Sequence, residues 1–331
     1  MKFKEIVGID VSKSTLDVCL HSLQVFTRVA NTKKGYKAML VWIEKSSGFS
    51  PDQALFCFEH TGIYSFPLSC FLSELQLNYT IVPGLEIKRS LGIQRGKNDK
   101  VDAKKIALYA YRRRDEIILY QMPDKSINEI RNLLSLREKL IKDRAGYKVK
   151  LKEQCGFMVK KDNKLLFSVP QKLINEYDKH IADIDQTIEK VIEENQTIMK
   201  NYLLVKSIPG VGRQTALHLM VTTNNFVLFD DYRKLASYAG VAPFPYSSGT
   251  SIRGKNKVNH LANKKLKTLL SSCAVSAIRH DPEMKVYYNR RQEKGIHKMN
   301  TINAVRNKLL ARVFAVVRRG TPFVTLGKFA A

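Results

Sequence analysis

Four carboxylates and one pair of serines stand where chemistry could use them. Asp10 follows the apolar run Ile6-Val7-Gly8-Ile9 in EIVGIDVSKSTLDVCLH, at the centre of what reads as a buried strand. An unpaired buried charge is costly, so an aspartate there needs a cation or hydrogen-bond donors around it. Glu59 closes a second apolar run, in ALFCFEHTG, and Asp99 and Asp102 lie three residues apart in KNDKVDAKKIA. That spacing puts both on one face at the start of a helix. Brought together, the four acids would repel one another. Two divalent cations roughly 4 Å apart would neutralise them and could clamp both oxygens of a phosphoryl displacement. Hard oxygen donors favour Mg2+. Taken singly, Asp99 can cap the helix and Asp102 can be an ordinary first-turn acid. Asp17, Asp52 and His60 read as structural, at a strand edge, a strand entry and beside an acid.

The elements that must position these acids follow from periodicity. FKEIVGIDVS, TLDVCLHS and VFTRVANT read as three short strands joined by tight turns. A helix in KKGYKAMLVWIEKSS carries Tyr36, Met39, Leu40 and Ile43 on one face. A buried strand ending at Glu59, a helix with Pro67 early in it, the strand NYTIVPG and the helix KVDAKKIALYAYRRRDE complete residues 1–118. Three antiparallel strands followed by αβαβα is the order of an α/β RNase H-like (RuvC-like) domain. It would make the strands of Asp10 and Glu59 neighbours, with the last helix beside them. Residues 119–205 are charged and poor in glycine, and read as two long helices, the second running unbroken through LINEYDKHIADIDQTIEKVIEENQTIMKNYLL. Ile181, Ile184, Ile188, Val191 and Ile192 recur at helical spacing, which predicts a coiled-coil spacer that also assembles copies of the chain. Residues 206–331 read as a third, mainly α-helical region.

That last region opens on SIPGVGRQTALHLM. Gly210 and Gly212 allow a tight turn with free backbone N–H groups, and a helix starts at once with Arg213, which is a phosphate cradle of helix-hairpin-helix type. It lacks the Gly-Lys-Ser/Thr ending of a nucleotide-binding loop. A plain helix-turn-helix corner would read the same way. In LASYAGVAPFPYSSGTSIRGKNKVNHLANKKLKTLL, Pro243 and Pro245 stiffen a loop ending in Ser247-Ser248-Gly249. From Ser251 to Leu270 there are six lysines or arginines (Arg253, Lys255, Lys257, Lys264, Lys265 and Lys267) and no acid. A serine among cations could attack a phosphodiester while the cations steady the developing charge. Most serines before glycine are simply loop residues, and Tyr232, Tyr238 and Tyr246 are rival nucleophiles. The whole chain has 56 Lys and Arg against 30 Asp and Glu, a formal charge of +26, which calls for a polyanionic partner. The five cysteines are scattered, no run nears the roughly 20 apolar residues of a membrane span, and the start lacks a signal peptide, so a reducing cytoplasm is the expected compartment and no membrane is expected.

Taken together, GIDVSK, FEHTGIY, KNDKVDAKKIA, IPGVGRQTA and YAGVAPFPYSSG resemble the DEDD transposases of bacterial insertion sequences. The resemblance is to the insertion-sequence family numbered one hundred and ten, the bridge-RNA-guided recombinases, and it covers essentially the whole chain. It implies that Asp10, Glu59, Asp99 and Asp102 are metal ligands, holding two Mg2+ ions, and that Ser248 is a nucleophile attached covalently to DNA during strand exchange; Ser247 lies one residue away. It also implies a homo-oligomer, dimer or tetramer, whose RuvC-like and serine domains join across protomers around a structured guide RNA and two DNA duplexes. Two other classes are rivals to this reading. A Holliday-junction nuclease would use the carboxylates with water and leave the serine idle. A non-catalytic binder would need neither.

Overall fold

The computed structural model describes residues 3–90, 99–248, 252–258 and 261–324. The chain forms two compact units, Met1–Met122 and Pro123–Ala331.

The first unit is built on a mixed five-stranded sheet. Its strands are β1 (Glu5–Val11), β2 (Thr15–Leu20), β3 (Phe26–Ala30), β4 (Ala54–Glu59) and β5 (Tyr79–Val82), in the order β3-β2-β1-β4-β5. β1 pairs antiparallel with β2 and parallel with β4, and β4 runs parallel to β5. The helices are α1 (Lys33–Ser47), α2 (Phe66–Glu74), α3 (Gly84–Ser90) and α4 (Asp99–Arg113). Thr32 caps α1 by accepting from the Gly35 N–H, and α1 buries Tyr36, Met39 and Ile43. Pro67 lies in the first turn of α2, where its missing N–H has no partner to lose.

Strand alternation divides this core in two. Val7, Ile9, Leu16, Val18, Phe56 and Phe58 pack towards α1 and α2. Ile6, Leu55, Cys57 and Val82 pack with Ile106, Tyr109 and Ala110 of α4. Gly8 is the near-contact of β1 with α4. A Cβ there would lie 2.7 Å from Ala107 Cβ and closer still to Ala107 N and Ala103 O.

The second unit is mainly helical. α5 (Lys125–Phe157) and α6 (Lys164–Glu193) form a long helical pair; α7 (Gln196–Lys206), α8 (Arg213–Thr223) and α9 (Tyr232–Tyr238) follow, then a two-stranded ribbon of β6 (Pro243–Ser248) and β7 (Ile252–Val258), and finally α10 (Lys264–His280), α11 (Pro282–Glu293) and α12 (Lys298–Arg319). Ile127, Ile130 and Leu134 of α5 and Ile184, Ile188, Val191 and Ile192 of α6 lie in one core with α7, α8, α10 and α12. The base of the long helices therefore shares a core with the remainder of the unit.

Two expectations need correction. The helix expected to run unbroken to Leu204 stops at Glu193, because the Asn195 side chain accepts from the Ile198 N–H and starts α7 afresh. A side-chain cap competes with continued helix wherever asparagine can reach its own downstream backbone. The stretch expected as a proline-stiffened loop is instead strand β6. Pro243 pairs with Val258 and Phe244 with Lys257, and the register shifts between Phe244 and Tyr246. A two-stranded ribbon has only edge strands, and a register irregularity spares Pro245 a ladder bond, which is how prolines enter a strand.

Candidate active site and nucleic-acid interface

The carboxylates are positioned by register and by one helix crossing. The parallel pairing of β1 with β4 runs through Ile9 with Phe58, so Asp10 and Glu59 are the next step of the same register. Alternation from Gly8 turns Asp10 to the α4 face, and alternation from Cys57 turns Glu59 to the same face. α4 runs antiparallel to β1. Its C-terminal half meets Phe3 and Ile6 in the core, Tyr111 stacks on His21 at 4.0 Å, and Ala103 lies over Gly8. Its first turn, with Asp99 and Asp102, therefore lies towards the end of the sheet that bears Asp10 and Glu59. The Asp99 backbone opens α4; its side chain lies outside the described residues.

The individual acids differ. Asp102 is half-buried and accepts from Lys105 Nζ at 3.1 Å. Asp17, directly across from Asp10, is buried within β2, inside the sheet rather than at an edge, and is paired with Arg28 at 2.8 Å. Glu59 is half-buried and, among the described residues, its carboxylate has no hydrogen-bond or ion-pair partner. Its oxygens lie against the backbone of Gly84. An unpaired carboxylate offers the hard oxygen donors that a divalent cation takes. Among the described residues no three acids, histidines or cysteines are gathered into a ready metal cage.

The glycine turn is a real turn between α7 and α8. Gly210 has φ of 90°, and a Cβ on it would lie 2.7 Å from Ala277 N and 2.8 Å from Cys273 O of α10. Glycine is needed there for the left-handed backbone and for close packing on a neighbouring helix. Gly212 is the N-cap of α8, with open space where a Cβ would be. An open groove runs beside it, lined by Lys206, Ser207, Gln214, Ser272 and Ser276. The Cys273 thiol donates to Thr215 Oγ1 at 3.1 Å at its floor, and burial raises the thiol pKa.

The basic residues singled out above are not all free. Arg213 reaches Asp185 Oδ1 at 2.6 Å and Glu189 Oε1 at 3.4 Å, so its guanidinium is engaged on α6. Lys265 pairs with Glu138 at 2.8 Å, next to His218 Nε2 at 3.0 Å from the same acid. Burial lowers the His218 pKa despite that acid. Lys264 is exposed. Arg253, Lys255 and Lys257 lie on β7, but their side chains are outside the described residues. Ser247 and Ser248 are the last residues of β6, with Ser248 opposite Ile252; their side chains, and all of Gly249, are likewise outside them.

Sequence reasoning missed what anchors that strand. Asn303 and Asn307 of α12 donate to the Val241 carbonyl, at 2.7 and 2.9 Å, two residues before β6 begins. No local signal marks two asparagines that serve one carbonyl more than sixty residues away. Gly84 was missed for the same reason.

Comparison with known proteins places the chain among transposases. Residues 7–155 match a family described as "Transposase", and residues 202–289 match one described as "Transposase IS116/IS110/IS902 family". The chain is 30% identical to the pilin gene-inverting protein of Moraxella bovis over 97% of its own length and 98% of that relative's. The pilin gene-inverting protein of Moraxella lacunata matches at the same identity and coverage, 30%, 97% and 98%. The transposase for insertion sequence element IS1111A of Coxiella burnetii is 23% identical, over 85% of this chain and 79% of that one. The chain belongs to the IS110 family of transposases. Among the described residues, no helix is long and apolar enough to cross a membrane.

Proposed function

We propose that this transposase cuts and rejoins DNA through a covalent phosphoserine intermediate formed by Ser248. The observation that carries the reading is the full-length similarity to proteins named for gene inversion, together with family matches over both units. In this reading the first unit is an RNase H-like (RuvC-like) domain, residues 1–118, and residues 119–205 are an assembly arm. Residues 206–331 carry the serine and a helix-hairpin-helix-like turn. The sheet order β3-β2-β1-β4-β5 and the common end of the acids support the first assignment.

Asp10, Glu59, Asp99 and Asp102 would hold divalent cations, for which Mg2+ suits the oxygen donors. When bound, the ions supply charge neutralisation at a phosphodiester. The chain's own residues do the rest. Ser248 Oγ forms a bond to phosphorus, the bond to the neighbouring deoxyribose oxygen breaks, and the serine proton ends on that leaving oxygen. The phosphoserine keeps the bond energy, so a hydroxyl of another strand reverses the step and reseals DNA. The turn at Gly212 and the basic residues of β7 and α10 would hold phosphates without reading bases. The net charge of +26 suits a protein that holds DNA and a structured guide RNA in a homo-oligomer.

The test is an SDS-resistant adduct. Purified protein, Mg2+, two duplexes and RNA from the element's own flanks should give a protein–DNA adduct whose modified peptide contains Ser248. Ser248→Ala and Asp10→Asn should each lower adduct formation by about 1000-fold, the scale of losing an essential electrostatic or nucleophilic group. An adduct on Ser247 would move the nucleophile by one residue. Cleavage with no adduct would leave a hydrolytic nuclease. The similarity to gene-inverting proteins favours a neighbouring reading in which the same chemistry inverts a segment, and product junctions separate the two.

A further inference from the structure

We infer that Gly84 is a positioning residue for the Glu59 carboxylate, and that its lack of a side chain shapes the metal site; this rests on the reading of Glu59 as a metal ligand. Glu59 ends β4 and pairs in register with Val82, the last residue of β5. Two residues on, Gly84 begins α3. A Cβ built on Gly84 would fall on the Glu59 carboxylate, 2.7 Å from Oε2 and closer still to Oε1 and Cδ.

Three ordinary reasons for a glycine can be compared. A left-handed backbone is not one of them, since Gly84 is absent from the positions of positive φ. Helix propensity is not one either, because glycine is a poor helix former. Close approach remains, and the group that approaches is the head of Glu59. That head has no hydrogen-bond or ion-pair partner among the described residues, so packing alone selects where it rests. A long side chain held only by packing keeps a ligand geometry while its slot is open.

Gly8 shows the contrast. A Cβ at Gly8 meets backbone atoms of α4, which cannot yield without moving the helix. At Gly84 it meets the far end of a flexible side chain, which can swing away at little cost to the fold. Gly84→Ala should therefore leave the fold intact and move the ligand.

The experiment uses the full chain and Mn2+ alone as a paramagnetic stand-in for Mg2+, since both favour carboxylate oxygen. Binding is read by electron paramagnetic resonance or calorimetry, and folding by circular dichroism and thermal unfolding. Glu59→Gln should weaken Mn2+ binding. Gly84→Ala should unfold within a few degrees of the wild type while weakening Mn2+ by about 10- to 100-fold, the usual scale for a group that orients a ligand. Adding Glu59→Asp to Gly84→Ala shortens the side chain by one methylene and should recover part of the loss. If Glu59→Gln weakens binding but Gly84→Ala does not, the positioning role is overturned and the ligand reading stands. If Glu59→Gln changes nothing, both fall together. A Gly84→Ala protein that does not fold also overturns the inference, since it would show the glycine serving the fold.

Discussion

Glu59 in the first unit and Asp185 in the second are both half-buried carboxylates, and their surroundings are opposite. Asp185 receives Arg137 Nε at 2.9 Å and Arg213 Nη1 at 2.6 Å. Burial would raise its pKa, but the Arg137 hydrogen bond and the charges of both arginines outweigh that and hold it below the usual carboxylate range. Glu59 rests on a bare glycine with no cation of the protein among its described neighbours. On a chain with a formal charge of +26, leaving a carboxylate unpaired is a choice of placement rather than a shortage of partners. The helix interface is held by charges paired within the protein. The sheet end is held by omitted side chains, which leave charge for something else to meet.

The sharpest way to break this contrast is at Gly8. Gly8→Ala puts a methyl into the backbone of α4 and should destabilise the first unit by about 3 kcal/mol, the upper range for overpacking. That corresponds to a fall of roughly 10 °C in the unfolding of this unit. An unchanged transition would mean that omitted side chains do not hold the sheet end.

A smaller effect is expected at the helix interface. Arg213→Ala leaves Asp185 with Arg137 alone, and should cost about 1.5 to 2 kcal/mol in urea unfolding at pH 7, the usual worth of a hydrogen bond to a charged group. The sign with pH follows from the direction of the shift. A folded pKa below the unfolded one, near 4, gives stability that is present above it and lost as pH falls through the folded value. The gap between wild type and Asp185→Asn should therefore close in acid. A gap that widens in acid would remove Asp185 from the paired class.

The smallest effect concerns the cap between α6 and α7. Asn195→Ala removes the bond accepted from the Ile198 N–H and should cost about 1 kcal/mol. Restored stability in Asn195→Asp, which keeps the acceptor, would show that the break is a capping effect.

Much of this architecture is local in origin. Strand geometry is enough to put Asp10 on one face with Gly8 and Glu59 on one face with Cys57, because a strand side chain can face only two ways, while the packing of α4 decided which face that is. The period near 3.6 in the middle of the chain is enough for the long helices and their apolar stripe. The family of the chain is legible in the same short motifs. What tertiary structure alone decided involves partners distant in sequence. Gly210 reads locally as a phosphate-cradle glycine, yet α10, more than sixty residues later, presses against it. Arg213 reads as a nucleic-acid contact, yet α6 supplies the acids that engage it. The stretch with Pro243 and Pro245 reads as a loop, and becomes a strand because β7 pairs with Pro243, Phe244 and Tyr246 around the skipped Pro245. Gly84 carries no local signal at all, since its reason is a carboxylate arriving on the neighbouring strand. Backbone periodicity is written within a few residues, whereas the space a side chain must leave empty, or the charge it must meet, is set by whichever element the fold brings beside it.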